Sequence, residues 1–238
     1  MPISRKLVAE ALGTMMLLAA VVGSGIMGDR LSGGNVAITL LANSIATGAV
    51  LIGIILAFGD ISGAHFNPAV TLMVAIERRL LWREVPLYVM AQLVGALFGV
   101  AVAHLMFQQP AFAMSHHVRS GGAQLLSELV ATFGLMSVIW GCSRLRSDAV
   151  PFAVGAYITS AYWFTASTSF ANPAVTLARA MTNTFSGIRP VDVPGFIIMQ
   201  LLGALLATTL WSWLLPSLSQ SATMVVLPHP ERTSTHAR

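Results

Sequence analysis

The sequence predicts an all-α membrane protein: six transmembrane helices plus two re-entrant half-helices in an inverted 3+3 repeat. Three observations predict it. Of 238 residues, 55% are hydrophobic and 9% charged, whereas soluble domains carry roughly 25% charged residues. Long runs without Asp, Glu, Lys or Arg alternate with short charged breaks. Three motifs recur in the same order in the two halves of the chain. The mean hydropathy of +0.76 agrees. Such a composition excludes a disordered chain and argues against a soluble enzyme. A net charge of +4 could suggest a nucleic-acid partner, but the 13 Lys and Arg sit mostly in breaks between apolar runs. Loops of membrane proteins are marked in that way, so the expected partner is a lipid bilayer and not nucleic acid.

Roughly 20 apolar residues cross a bilayer core. Full spans are expected near 7–28, 37–58, 86–107, 124–143, 149–168 and 194–215, with Glu10 and Glu128 inside the first and fourth. Two short apolar stretches, 67–76 and 172–178, are too short to cross alone. Arg5, Lys6, Arg78, Arg79, Arg83, Arg144, Arg146, Arg232 and Arg238 fall on one side; Arg30, Arg119, Arg179 and Arg189 fall on the other. The positive-inside rule then puts both termini in the cytoplasm. Arg5, Lys6 and the apolar run after them would also suit a signal peptide, but the run continues for about 20 residues and recurs at 124–143, so an uncleaved span is expected. Residues 1–216 form one domain, with repeats near 5–108 and 123–216. The Ser-, Thr-, Pro- and His-containing stretch 217–238 is expected to be a disordered cytoplasmic tail. The lone cysteine, Cys142, allows no disulfide within the chain.

Glu10-Ala-Leu-Gly-Thr14 matches Glu128-Leu-Val-Ala-Thr132, 118 residues on. Asn67-Pro68-Ala69-Val70-Thr71-Leu72 returns as Asn172-Pro173-Ala174-Val175-Thr176-Leu177, 105 residues on. Gln92-Leu-Val-Gly-Ala96 returns as Gln200-Leu-Leu-Gly-Ala204, 108 residues on. Each half therefore holds three spans and one short stretch. An odd number of spans per half makes the copies insert in opposite directions, with the site expected at mid-membrane between them. Gln92, Gly95, Gln200 and Gly203 are read as helix-packing positions.

Asparagine is a favoured N-cap and proline a favoured first helical residue, so each Asn-Pro-Ala reads as a helix start. A helix from 67 to 76 rises about 15 Å, half a bilayer. Two such half-helices meeting at their N-termini would complete one further crossing. Each asparagine oxygen would accept from its own helix start and leave its NH₂ group free toward the lumen. The two positive helix ends would oppose cations and hydronium, while neutral solutes met two donors. This arrangement predicts a pore with no nucleophile, metal, cofactor or general base.

Ser62-Gly-Ala-His65-Phe66-Asn67-Pro-Ala-Val-Thr71 and Phe170-Ala-Asn172-Pro-Ala resemble the two pore signatures of the aquaporin (major intrinsic protein) family, and the likeness extends over about 5–215. The resemblance implies the aquaporin fold, passive conduction through each protomer and usually a homotetramer. It implies that Glu10 and Glu128 support the re-entrant loops, in preference to a proton relay. His65 is read likewise as fixing a loop. Most of the family has an arginine three residues after the second asparagine; here that residue is Val175. Arg179 lies on the same face but farther along the half-helix, too far to replace it simply.

Distances from the motifs carry the other constriction positions to Thr47, Ser160 and Ser169, with Tyr157 as an alternative to Ser160. Thr47, Ser160, Ser169 and Val175 would make a wide, uncharged ring. Valine in place of the arginine resembles bacterial aquaglyceroporins linked to arsenic resistance, which implies water, glycerol and metalloid hydroxides such as arsenite as solutes. A water-selective aquaporin is one alternative. An ion-coupled secondary transporter is another, but the spans offer it few ionisable groups besides Glu10 and Glu128. No Ser-His-Asp or metal-spaced cluster suggests an enzyme. The adjacent His116 and His117 are read as a solvated loop rather than a metal site.

Overall fold

The computed structural model describes residues 1–215, so the tail expected at 217–238 lies outside the described residues. Eight α-helices follow in order: α1 (Ile3–Leu31), α2 (Val36–Ser62), α3 (Pro68–Ile76), α4 (Val85–Met106), α5 (Gly122–Leu145), α6 (Val150–Phe164), α7 (Pro173–Arg179) and α8 (Val193–Leu214). Five of them, α1, α2, α4, α5 and α8, are long and apolar enough to cross a bilayer on their own.

The crossing expected over 149–168 is helical for only 15 residues in α6, about 22 Å. A single 3₁₀ turn, Ser147–Ala149, leads into it. It stops early because Thr165, Thr168 and Ser169 begin the next re-entrant loop. Thr165 returns its hydroxyl to the Ala161 carbonyl (2.7 Å), and Thr168 and Ser169 take left-handed backbone angles that no helix accepts. Helix α1, by contrast, overruns its expected span at both ends. Its last turn is exposed, and there Arg30 donates to the Phe107 carbonyl (2.8 Å) and covers the Phe107 ring.

Helix α1 packs on α2 and α4, α5 packs on α6 and α8, and α2 crosses α6. The two sets of four helices correspond in order and run in opposite senses, as the inverted repeat requires. Glycine allows the closest approaches. A Cβ added at Gly48 would stand 2.7 Å from the Gly155 carbonyl oxygen, and one at Gly155 would stand 2.7 Å from that of Gly48. Gly95 abuts the Ala11 carbonyl in the first half as Gly203 abuts that of Leu129 in the second.

The radial pattern is that of a protein dissolved in hydrocarbon. Leu12, Met16, Ile45, Leu56, Phe98 and Leu202 face outward, while Glu10, Glu128, Gln92, Gln200 and Arg179 are buried. Lipid offers no hydrogen bonds, so buried polar groups must find partners inside the fold.

Candidate functional site

The short helices α3 and α7 start at Asn67 and Asn172. Their 9 and 7 residues give rises of about 13 and 10 Å. Asn67 Oδ1 accepts from Ala69 N (2.9 Å), and Asn172 Oδ1 accepts from Ala174 N (3.0 Å) and Val175 N (3.3 Å). The caps therefore form as the residue types dictate. The expectation of wholly free NH₂ groups needs correction. Asn67 Nδ2 donates to the Ala171 carbonyl and Asn172 Nδ2 to the Phe66 carbonyl, both at 2.8 Å. Each loop carbonyl is buried and needs a donor, and the opposite asparagine supplies it. One amide hydrogen on each side is spent; the other has no protein acceptor among the described residues.

Phe66 and Ala171, the residues before each asparagine, both sit in the left-handed region (φ 49° and 47°). Such backbone costs of order 1–3 kcal/mol per residue and persists only where surroundings enforce it. Two carboxylates enforce it. Glu10 Oε1 accepts from His65 N (3.0 Å) and Ser62 Oγ (2.6 Å), and its Oε2 from Phe66 N (2.7 Å) and Gln92 Nε2 (2.8 Å). Glu128 Oε1 accepts from Phe170 N (2.9 Å), and its Oε2 from Ala171 N (2.9 Å) and Gln200 Nε2 (2.6 Å). Gln92 and Gln200 also donate to Thr71 and Thr176 at the start of each half-helix (2.9 and 2.7 Å). The two glutamines thus bind carboxylates, a role that reading them as packing residues missed. Their recurrence beside the two glutamates was the available signal.

A cavity of about 60 Å³ runs beside the two asparagines, room for a short file of about four or five waters. Thr47, Ser169, Val175 and His65 all line it. Thr47 Oγ1 lies 3.1 Å from Tyr162 Oη, and His65 Nδ1 lies 3.1 Å from Thr71 Oγ1. Ser160 does not belong with them. It is exposed on the outer face of α6, its hydroxyl returned to the Tyr157 carbonyl (2.7 Å). The helical period explains the error: Val150, Val154, Ile158 and Tyr162, spaced by four, face the cavity, and Ser160 lies on the opposite side of the turn. Tyr157, the alternative, points away as well and donates to the Ala131 carbonyl (3.0 Å). Ile158 and Tyr162 make that wall.

Two arginines flank Phe170. Arg119, from the loop after α4, has its guanidinium 5.0 Å from the ring centroid and is fully engaged. It donates to the carbonyls of Gly187 (2.8 Å), Ser167 (3.0 Å) and Phe185 (3.5 Å). Arg179, at the end of α7, is 1% exposed, lies 3.4 Å from the same centroid and lines the cavity. It was expected to sit too far along the half-helix. Its guanidinium nonetheless reaches the Phe170 ring and the cavity wall. His116 and His117 are exposed, and no group of three His, Cys, Asp or Glu residues able to hold a metal occurs among the described residues.

Apolar crossing helices around two re-entrant half-helices define a multi-pass membrane protein with a polar waist. The family model for major intrinsic proteins matches residues 1–149 and 142–237, and the chain belongs to that family. It is 59% identical over 213 residues to the aquaglyceroporin AqpS of Rhizobium meliloti, a match covering 90% of this chain and 91% of that protein. It is 34% identical over 210 residues to a probable NIP-type aquaporin of Nicotiana alata, over 85% and 76% of the two chains. The solved aquaglyceroporin of Plasmodium falciparum superposes with a TM-score of 0.68 at 19% identity, covering 91% of this chain and 96% of that one. That likeness is one of fold.

Proposed function

We propose that the protein is a passive channel for small neutral solutes: water, glycerol and metalloid hydroxides such as arsenite. The observation that carries this reading is the waist, two asparagine-capped half-helices tied tip to tip beside a cavity that both asparagines line. Two facing helix N-termini set partial positive charge at mid-membrane and oppose cations, while the remaining amide hydrogens receive solute lone pairs. In this reading Thr47, Ser169 and Val175 form the constriction, with Ile158 and Tyr162 taking the place expected of Ser160. Glu10, Glu128 and His65 hold the two loops. Conduction of this kind asks for no catalytic group and no cofactor.

The names of the Rhizobium and Plasmodium proteins, both aquaglyceroporins, support glycerol as a solute. Val175 supports the solutes of the arsenic-linked subgroup. The bias of basic residues favours a cell membrane location with both termini cytoplasmic, and the family resemblance favours a homotetramer.

The deciding assay uses proteoliposomes. Volume relaxation under a glycerol or arsenite gradient is expected to be fast and indifferent to an imposed proton gradient. Flux that follows the proton gradient would instead mean a coupled transporter. Tryptophan scanning of α6 checks the wall: Ile158→Trp is expected to cut glycerol flux at least about tenfold, and Ser160→Trp to change it by less than about twofold. The reverse ranking would return Ser160 to the lumen.

A further inference from the structure

We propose that Arg179 supplies the positive charge and hydrogen-bond donor of the pore beyond the waist, one helical turn along α7 from Val175. The inference rests on the channel reading above and adds a selectivity residue to it. The starting observation is a buried donor with no acceptor. Arg179 Nε donates to the Ser186 carbonyl, yet Nη1 is buried without a hydrogen-bond partner among the described residues. No carboxylate lies within ion-pair distance of Arg179 among those residues either. A guanidinium stays protonated in a protein, and an unpaired buried charge is retained only at a cost. Across Phe170, Arg119 uses every nitrogen, whereas Arg79, over the Trp140 ring and away from this cavity, leaves three buried nitrogens unpaired among the described residues. The place of Arg179 in the cavity wall, and not the idle nitrogen alone, carries the assignment.

The location gives the idle donor a use. Arg179 shares its cavity with Thr47, Tyr162, Ser169 and Val175. Residues 175 and 179 lie on one face of α7, about 6 Å apart along its axis. The Phe170 ring, its centroid 3.4 Å from the guanidinium carbon, and the Ser186 carbonyl hold the direction of the Arg179 side chain. Ser169 Oγ, also lining the cavity, is likewise buried without a partner. A solute bearing several hydroxyls would answer both: one oxygen accepts from Arg179 Nη1, and a second hydroxyl exchanges a hydrogen bond with Ser169 Oγ. A cation entering the same space would meet a positive charge held in a low-dielectric wall without an ion-pair contact among the described residues.

The test compares Arg179→Met, Arg179→Gln and Arg179→Lys with wild type in proteoliposomes. Glycerol flux and proton leak under a potassium diffusion potential are recorded on the same preparations. Gln retains a donor toward the Ser186 carbonyl while removing the charge and the Nη1 donor, so it carries the test where Met disturbs the loop. The expected result is a rise in proton leak of at least about tenfold in the neutral variants, with glycerol flux lowered in both, and Lys close to wild type on both readouts. Neutral variants that conduct glycerol and stay as proton-tight as wild type would overturn the assignment. Wild-type protein that conducts no glycerol, arsenite or water would instead overturn the channel reading.

Discussion

Arginine in place of Val175 is expected to lower glycerol permeability at least about tenfold while changing water permeability by less than about twofold. Valine is buried on the wall of a cavity of about 60 Å³. An arginine side chain projecting from that wall would take up much of the space and place hydrogen-bond donors across it. Water can pass such donors singly; a three-carbon polyol must fit its carbon chain past them. The new guanidinium would also stand four residues from Arg179 on one helix face, where like charges repel. Stopped-flow light scattering with water, glycerol and urea gradients reads the ratio directly. Equal loss for every solute, in protein of unchanged folding, would place the constriction elsewhere.

The second large effect concerns folding. Glu128→Leu would remove the acceptor shared by Phe170 N, Ala171 N and Gln200 Nε2. Each buried donor left unsatisfied costs about 1–3 kcal/mol, so three cost about 3–9 kcal/mol, comparable with the stability of a whole domain. The variant is expected to lose its monodisperse, cooperatively melting form in detergent. Glu128→Gln keeps one oxygen for one loop amide and is expected to fall between the two. Glu10→Leu, which strands four donors, is expected to be at least as damaging. A Leu variant melting within about 2 °C of wild type would mean that other contacts hold the loop.

Much of the waist was legible because its instructions are local. Asn-Pro-Ala carries its own cap, its own first-turn proline and an apolar run of set length, and the pattern occurs twice at matching places. The span boundaries were less so. Where α6 stops depends on the left-handed turn that Thr168 and Ser169 must make to deliver Asn172, and hydropathy carries no such information. The Gln92–Glu10 and Gln200–Glu128 bonds close loops of 82 and 72 residues, so their recurrence was visible while their partners were not. Ser160 was misplaced because distance from a motif does not fix helical phase; the row 150, 154, 158, 162 does. The Cα of Arg179 lies at the end of α7, yet its long side chain carries the guanidinium to the Phe170 ring and the cavity wall, which Cα position alone does not reveal.

The exchange of Asn67 and Asn172 across the waist, echoed by Gly48 and Gly155 where α2 crosses α6, has the geometry of an isologous contact between two copies of one subunit, here fused into one polypeptide. A molecule travelling either way therefore meets two equivalent amides at the midpoint. The midpoint has no built-in arrow. The direction of net traffic follows the concentrations on the two sides alone.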